Sequence, residues 1–176
     1  LRIIETPSPR PLALADVGSG GGFPGLVIAI VRPETQVHLV EPLRKRAALL
    51  SELAGALGLP NVVVHPIRAE EAGRGPLRDA LPAVTARAVA ELRELLEYTA
   101  PLAAPGGLNG FPKGSAFESE LFAATGSMAA LSCEFESSTP MRPEISTTVV
   151  VALFRKLAPT AAAYPRRPGV PGKRPL

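Results

Sequence analysis

The chain has 176 residues, which suits one domain with a substantial core, and its single cysteine, Cys133, excludes an internal disulfide. No apolar run reaches the roughly 20 residues that a membrane-spanning helix needs, and no signal peptide is visible. Because a cysteine-based metal cluster is also excluded, we expect a cytoplasmic protein that binds neither a metal nor a membrane.

The net charge of +3 conceals a division along the chain. From Arg155 onward there are six basic residues and no acidic one, whereas the first 154 residues carry 13 basic and 16 acidic residues. We therefore divide the chain into a main domain, residues 1–157, and a basic, proline-rich tail, residues 158–176. Such a tail is either a solvated extension or a contact for an RNA phosphate backbone, and we expect Tyr164–Leu176 to be poorly packed.

The first part of the chain has the pattern of a nucleotide-binding βα unit. The apolar run Leu12–Val17 predicts a strand, the glycine-rich stretch Gly18–Gly22 predicts a turn, and Pro24–Val31 predicts a helix. The next apolar run, Val37–Val40, ends at a lone acid, Glu41. An acid after the second strand commonly holds a ribose, so this unit predicts a nucleoside-containing cofactor.

The position of the first acid distinguishes between two cofactor classes. Gly20, Gly22 and Gly25 fit the dinucleotide pattern G-x-G-x-x-G, which alone is weak evidence. Asp16 precedes the first turn glycine, Gly18, by two residues, where it would repel a pyrophosphate but attract a sulfonium and an ammonium group. This favours S-adenosylmethionine; the alternative is that Asp16 merely caps the turn.

The rest of the chain alternates strands with helices, which predicts a mostly parallel α/β sheet. The predicted helices are Leu43–Leu57, Glu91–Ala103 and Ala116–Ala124. The predicted strands after the first two are Val62–Val64, Ala83–Thr85, Leu108–Lys113, Met128–Phe135 and Thr147–Phe154. The last two strands should form a hairpin with at least one antiparallel strand, and Ala69–Glu71 should lie in a loop.

Parallel sheets of this kind bind ligands at the carboxyl ends of their strands. This rule brings Gly18–Phe23, Glu41, Ala69–Glu70, Arg87 and Lys113 to one predicted site.

Eight short motifs occur in order along the chain: Asp16–Gly25, Val31–Pro33, Leu39–Pro42 with Lys45 and Arg46, Arg68–Glu70, Thr85–Ala90, Pro105–Gly107, Lys113–Gly114 and Tyr164–Pro171. Their combination resembles the bacterial small-subunit ribosomal RNA guanine-N7 methyltransferases, also called the glucose-inhibited division protein B family. The resemblance implies a Rossmann-like class I S-adenosylmethionine-dependent methyltransferase fold. This is a mostly parallel seven-stranded sheet with a C-terminal antiparallel hairpin.

The resemblance also implies the residues of the site. It implies cofactor contacts at Gly18, Phe23, Glu41, Ala69, Glu70 and Arg87, and the turn pattern adds Asp16 and Gly20. Arg87 and Lys113 are the catalytic candidates, although Arg87 has the alternative of a salt bridge to an acid such as Glu70. The expected RNA contacts are Lys113, Arg155, Lys156, Arg166, Arg167, Lys173 and Arg174.

The implied substrate is 16S ribosomal RNA or a precursor of the small ribosomal subunit, acted on by a monomer. Guanine N7 already exposes a lone pair, so the reaction needs alignment of N7 with the methyl group more than it needs a general base. The sequence shows no convincing base and lacks an Asn/Asp-Pro-Pro-aromatic motif for amine methylation. It also lacks a second cysteine for methylation of pyrimidine carbon-5.

Two departures from the family pattern leave alternatives open. Residues 1–11 are short and proline-rich where the family has a helical segment, and Leu108–Pro112 is less apolar than the usual strand before Lys113. An NAD-dependent oxidoreductase that uses the glycines and Glu41 is one alternative, although no catalytic Tyr-Lys or His arrangement is recognisable. A small-molecule methyltransferase and an RNA-binding module with a degenerate cofactor pocket are the others.

Overall fold

A seven-stranded β-sheet forms the frame of the computed structural model, which describes residues 12–142, 144–146 and 148–176. The sequence predicts that the chain departs from the family before the first strand, where the family has a helical segment. This prediction concerns residues 1–11, which lie outside the described residues. In the described part, no helix is both long and apolar enough to cross a bilayer.

The sheet is mixed but mostly parallel. Its strands are β1 (Ala13–Val17), β2 (Gln36–Val40), β3 (Val62–His65), β4 (Leu81–Ala86), β5 (Ala103–Lys113), β6 (Cys133–Pro140) and β7 (Val150–Lys156). They lie in the order β3-β2-β1-β4-β5-β7-β6, and β7 is antiparallel to both of its neighbours. The remaining neighbours are parallel, which confirms the predicted fold class with its antiparallel hairpin.

Helices cover both faces of the sheet. They are α1 (Gly25–Val31), α2 (Arg44–Ala56), α3 (Ala69–Ala72), α4 (Leu92–Thr99), α5 (Phe117–Ala123), α6 (Thr125–Ala130) and α7 (Val170–Lys173). Leu14 packs on one face with Leu50 of α2, and the next residue, Ala15, packs on the other face with Leu96 of α4. The strand order reverses between β1 and β4, which is the point where open sheets of this type bind ligands.

The first half of the predicted secondary structure is confirmed within a few residues, but the prediction is wrong between Ala100 and Gly107. Helix α4 ends at Thr99. Ala100 still has helical dihedral angles, but Pro101 has no N–H group to donate to the next helical hydrogen bond. Strand β5 already begins at Ala103 and contains Pro105-Gly106-Gly107. These residues fall in a bulge, since the pairing with β4 is interrupted between Ala103 and Leu108.

Two shorter elements also differ from the prediction. Met128 lies in helix α6 and not in a strand, because Ala124, Ser127 and Leu131 bury one helical face at spacings of three and four residues. Ala69–Glu71 lies in the short helix α3 and not in a loop; the Glu71 carboxylate accepts a hydrogen bond from the Arg68 N–H at 2.8 Å.

The expectation that Tyr164–Leu176 is poorly packed is wrong. The carbonyl oxygen of Tyr164 accepts a hydrogen bond from Arg78 at 2.7 Å, and Pro171 in α7 is buried. Ser127 donates a hydrogen bond to the carbonyl oxygen of Leu176 at 3.1 Å. A prediction based on charge and proline content misses these contacts because they depend on backbone carbonyls that any sequence supplies.

Candidate functional site

The glycine turn after β1 lies across the carboxyl end of β2. The N–H groups of Gly18 and Ser19 both donate to the carbonyl oxygen of Val40, at 2.8 and 3.3 Å. Gly18 has a positive φ of +69°, and a Cβ atom built there would lie 2.6 Å from the side chain of Val89. The turn therefore requires glycine at this position for both conformation and space.

Asp16 supports this turn from below and does not line the crevice. Its side chain is fully buried, and Oδ2 accepts a hydrogen bond from the Gly25 N–H at 2.9 Å. Burial raises the pKa of the Asp16 carboxyl to about 7, although the bond from Gly25 acts in the opposite direction. A Cβ on Gly25 would lie 2.3 Å from Leu39 and 2.8 Å from Oδ2, so only glycine fits. This complete burial argues against the predicted direct contact between Asp16 and a cofactor and favours the alternative, in which Asp16 caps the turn.

Glu41 joins the ends of β1 and β2. Its Oε2 accepts a hydrogen bond from the Gly20 N–H at 3.0 Å and its Oε1 accepts one from the Leu43 N–H at 2.9 Å. The residue is only 3% exposed. Each carboxylate oxygen has a second lone pair, so the side chain is fixed by the backbone and can still accept further hydrogen bonds.

A cavity of about 210 Å³ opens beside the turn. It is lined by Val17, Gly18, Val40, Pro42, Arg68, Ala69, Glu70, Val89, Glu94 and Tyr98. Its volume is below the roughly 300–1,000 Å³ of typical ligand pockets, so it would enclose part of a nucleoside-containing cofactor, with the rest in the open crevice. The apolar walls fit a nucleobase, and the acidic groups fit hydroxyl and amino groups, which makes the residues present compatible with S-adenosylmethionine.

The polar wall of this cavity comes from α3 and α4. Glu70 is 3% exposed and accepts a hydrogen bond from the Gly169 N–H at 2.9 Å. Tyr98 donates its hydroxyl to Glu94 at 2.5 Å, and both burial and this bond raise the pKa of the Tyr98 hydroxyl. Sequence reasoning finds Ala69 and Glu70 but misses Glu94 and Tyr98. Their only sequence signal is their i,i+4 spacing on one helix.

Phe23 and Arg87 face each other at the mouth of the crevice. The Arg87 guanidinium lies 5.9 Å from the centre of the Phe23 ring, and Phe23 is 57% exposed. The alternative of a salt bridge between Arg87 and Glu70 is not seen among the described residues. Arg87 thus presents its charge at the open edge of the site.

Lys113 is positioned by neighbouring groups. Its ammonium group lies 2.5 Å from Glu120 Oε2 and 3.2 Å from the Ala90 carbonyl oxygen, and the residue is 8% exposed. Glu120 also accepts a hydrogen bond from the Leu92 N–H at 2.8 Å. Lys113 therefore ties β5 to the loop before α4. These partners occupy its ammonium group, and the RNA contact of Lys113 stays a prediction.

A second cavity lies on the other side of the Ala88–Ala90 loop. Its volume is about 510 Å³, and Arg87, Pro112 and Lys113 contribute to its walls. Since Val89 lines the first cavity and its two neighbours line the second, the loop separates two adjacent spaces at the carboxyl ends of β4 and β5.

The predicted RNA contacts from Arg155 onward divide into exposed and internal residues. Lys156 is fully buried and donates to Thr160 at 2.6 Å, so this predicted contact is wrong. Arg155 pairs with Glu136, and Arg166 pairs with the buried Glu97 at 2.5 Å. The exposed basic residues of the tail are Arg167, Lys173 and Arg174. No group of three potential metal-ligating side chains occurs in the ranges that the structure describes.

Solved structures share this fold at low sequence identity. A variant of the 16S rRNA (adenine(1408)-N(1))-methyltransferase from Catenulisporales acidiphilia superposes with a TM-score of 0.69 at 20% identity, covering 86% of this chain and 88% of that one. A SAM-dependent methyltransferase from Aquifex aeolicus superposes with a TM-score of 0.65 at 15% identity, covering 84% of both chains. These similarities establish the fold.

Sequence comparison identifies the family. The family model for rRNA small subunit methyltransferase G (GidB) matches residues 2–145. Ribosomal RNA small subunit methyltransferase G of Roseiflexus castenholzii is 45% identical over 170 residues, which cover 94% of this chain and 71% of that protein. The protein of the same name from Pelotomaculum thermopropionicum is 41% identical over 166 residues, covering 93% of this chain and 70% of the relative. The chain therefore belongs to the rRNA small subunit methyltransferase G family of S-adenosylmethionine-dependent methyltransferases.

Proposed function

We propose that this chain transfers the methyl group of S-adenosylmethionine to N7 of a guanine in 16S ribosomal RNA, free or within a precursor of the small ribosomal subunit. The observation that carries the proposal is the pair of cavities on either side of the Ala88–Ala90 loop, one beside the glycine turn and one beside Arg87. Methyl transfer needs direct contact, so a cofactor in the first cavity and a base in the second would meet at the open edge of this loop, beside Arg87. Family membership rules out the oxidoreductase alternative.

The first cavity offers suitable groups for the nucleoside of the cofactor. Val17, Val40 and Ala69 supply apolar walls, and Glu70 adds a carboxylate. Glu41 lies between the lining residues Val40 and Pro42, and its carboxylate keeps lone pairs for ribose hydroxyls. When bound, S-adenosylmethionine supplies an activated methyl group on its sulfonium. The protein contributes a rigid frame, because the backbone N–H groups of Gly20 in the turn and of Leu43 before α2 hold Glu41 in place.

The catalytic demand on side chains is small for an N7 acceptor. The nitrogen lone pair is available without loss of a proton, so correct alignment supplies much of the acceleration. Such a mechanism does not need Lys113 as a proton donor or acceptor. Its ammonium group contacts Glu120 and the Ala90 carbonyl oxygen and fixes the loop between the two cavities. We assign no general base.

The exposed basic residues support RNA as the substrate. Arg87 lies at the mouth of the crevice and Arg167, Lys173 and Arg174 are exposed on the tail, where they can contact phosphates. The chain has six Phe, two Tyr and no Trp, so recognition of folded RNA by shape and phosphate contacts fits better than stacking of single-stranded bases. We further propose that the protein acts as a monomer in the cytoplasm, where its substrate is assembled.

Two measurements test the function. Calorimetric titration with S-adenosylmethionine, S-adenosylhomocysteine and NAD should show binding of the first two only. Incubation of unmodified 16S RNA and of small subunits with labelled S-adenosylmethionine should then place the label on guanine N7. Cofactor binding without methylation of either substrate would contradict the proposed acceptor, and no cofactor binding would favour an RNA-binding module with a degenerate pocket.

A further inference from the structure

The end of the chain packs behind the wall of the cofactor cavity. We infer that residues 164–176, which we call the strap, position Glu70 and Glu94 for cofactor binding. This inference rests on the proposed function of the cavity. The strap is part of the basic tail, so the tail would contribute to cofactor affinity, a role that its composition does not indicate.

The strap is anchored by an ion pair with a buried acid. Glu97 of α4 is fully buried, and its Oε1 accepts hydrogen bonds from the backbone N–H of Arg166 at 2.8 Å and from Arg166 Nε at 2.9 Å. Its Oε2 lies 2.5 Å from Arg166 Nη2. A buried carboxylate is costly without a partner, so this bidentate contact fixes the strap on α4.

Two further arginines hold the backbone at the start of the strap. Arg74 donates to the carbonyl oxygen of Pro165 from Nε at 3.0 Å and from Nη2 at 2.6 Å. Arg78 donates to the carbonyl oxygen of Tyr164 at 2.7 Å. Both arginines lie in the connection between α3 and β4, so the strap is joined to the part of the chain that carries the cavity wall.

Past these anchors, the strap contacts the cavity wall at two points. The Gly169 N–H donates to Glu70 Oε1 at 2.9 Å. Gly172 lies so close to Glu94 that an added Cβ would be 2.7 Å from Glu94 Oε1 and 3.5 Å from the Tyr98 hydroxyl. Glu70, Glu94 and Tyr98 all line the cavity, so the strap determines where its polar groups stand.

This geometry makes the strap residues positioning residues, which act through Glu70 and Glu94. One carboxylate oxygen of Glu70 is used by the Gly169 N–H, and among the described residues the other accepts no hydrogen bond. The strap therefore orients a carboxylate with one oxygen available to a ligand. Displacing the strap should weaken cofactor binding and should leave the chemical step at saturating cofactor unchanged.

Substitution of Gly172 by alanine is the sharpest test. Alanine is favourable in a helix, so Gly172→Ala should fold, while its Cβ forces Glu94 to move. We expect the Kd for S-adenosylhomocysteine to rise about tenfold, which corresponds to about 1.4 kcal/mol. The KM for S-adenosylmethionine should rise in parallel with kcat and melting temperature unchanged. Gly126→Ala is the matched control, because a Cβ at this helical position meets nothing within 4 Å.

A second pair of variants tests the anchor. Arg166→Gln should lower cofactor affinity measured without RNA, whereas Arg167→Gln, at the adjacent exposed position, should not. An unchanged Kd in folded Gly172→Ala or folded Arg166→Gln would overturn the inference. Failure of the wild-type protein to bind S-adenosylhomocysteine would instead contradict the proposed function, so the two failures are distinguishable.

Discussion

At the scale of single residues, Asp16 shows how a buried carboxyl couples stability to pH. Its pKa rises from 3.8 to about 7 because folding removes it from water. Between these two values the folded protein holds a proton that the unfolded chain has released. The free energy of unfolding therefore falls as pH rises from about 4 to about 7. Above pH 7 this carboxyl is ionised in both states, so it causes no further change with pH.

The variant Asp16→Asn should remove this dependence, since the amide oxygen can still accept the bond from Gly25 but the side chain cannot titrate. The wild type should lose up to about 4 kcal/mol of unfolding free energy relative to the variant between pH 4 and pH 8. The wild type is therefore favoured at low pH. Urea denaturation at several pH values measures it. Two parallel pH profiles would contradict the assignment to Asp16.

Asn109 is a second residue whose environment predicts a stability change. It is fully buried in β5 between Val84 and Phe154, and neither side-chain polar atom has a hydrogen-bond partner among the described residues. Asn109→Leu keeps a similar shape and removes both orphan groups, so stability should increase by about 1–3 kcal/mol. Denaturant unfolding provides the measurement.

The matched control for this prediction is Asn61→Leu. Asn61 donates to the carbonyl oxygens of Ala29 and Thr35 at 3.1 and 3.0 Å, so the same substitution there should destabilise the protein. Equal changes in unfolding free energy at the two positions would show that the unpaired amide of Asn109 does not determine the effect of its substitution on stability.

At the scale of elements, the contact between β5 and α5 determines how the loop between the two cavities is held. Glu120 of α5 joins Lys113 of β5 to the first residue of α4, Leu92. Glu120→Gln keeps an acceptor for the Leu92 N–H but removes the countercharge of a nearly buried ammonium. We expect a loss of about 1.5–3 kcal/mol in unfolding free energy, the range for hydrogen bonds to charged groups.

The control for Glu120→Gln is Glu118→Gln, an exposed position in the first turn of the same helix, where we expect little effect on stability. Urea denaturation compares the two. If Lys113 instead transferred a proton in the reaction, Glu120→Gln would change the pH profile of kcat without lowering stability, and that result would contradict a structural role.

The elements also show which parts of the fold can be predicted from sequence. The first βα unit and α2 are predictable because local signals agree there: apolar runs, glycine turns and helix periodicity all point to one structure. In β5, the part from Leu108 to Lys113 is predicted, but its start at Ala103 is not, because Pro105-Gly106-Gly107 is a local stop signal that a bulge accommodates. For Asp16, the sequence left open a cofactor contact or a cap of the turn, because burial depends on packing that a local motif does not show.

At the scale of the whole molecule, the charge division along the chain overstates the number of basic residues that are available to RNA. Several of these basic groups are buried or form ion pairs within the fold. Lys156 is buried and Arg166 neutralises Glu97, so removal of all residues from Arg155 onward would delete part of β7 and leave Glu97 unpaired. Such a truncation cannot isolate an RNA contact. The residues that can are Arg167, Lys173 and Arg174, which are exposed.

The combined variant Arg167→Gln, Lys173→Gln and Arg174→Gln should therefore weaken RNA binding without unfolding the protein. If each residue contacts one phosphate, the slope of log K against log salt should become shallower by about 0.7–0.9 per residue, or about 2–3 in total. Filter binding of 16S RNA at several salt concentrations measures this slope. Arg32→Gln is the control, because Arg32 is exposed between α1 and the start of β2, at the amino end of a parallel strand and not at the carboxyl ends that form the crevice. An unchanged slope in the combined variant would place the RNA on another surface, with Arg87 at the crevice mouth the next residue to test.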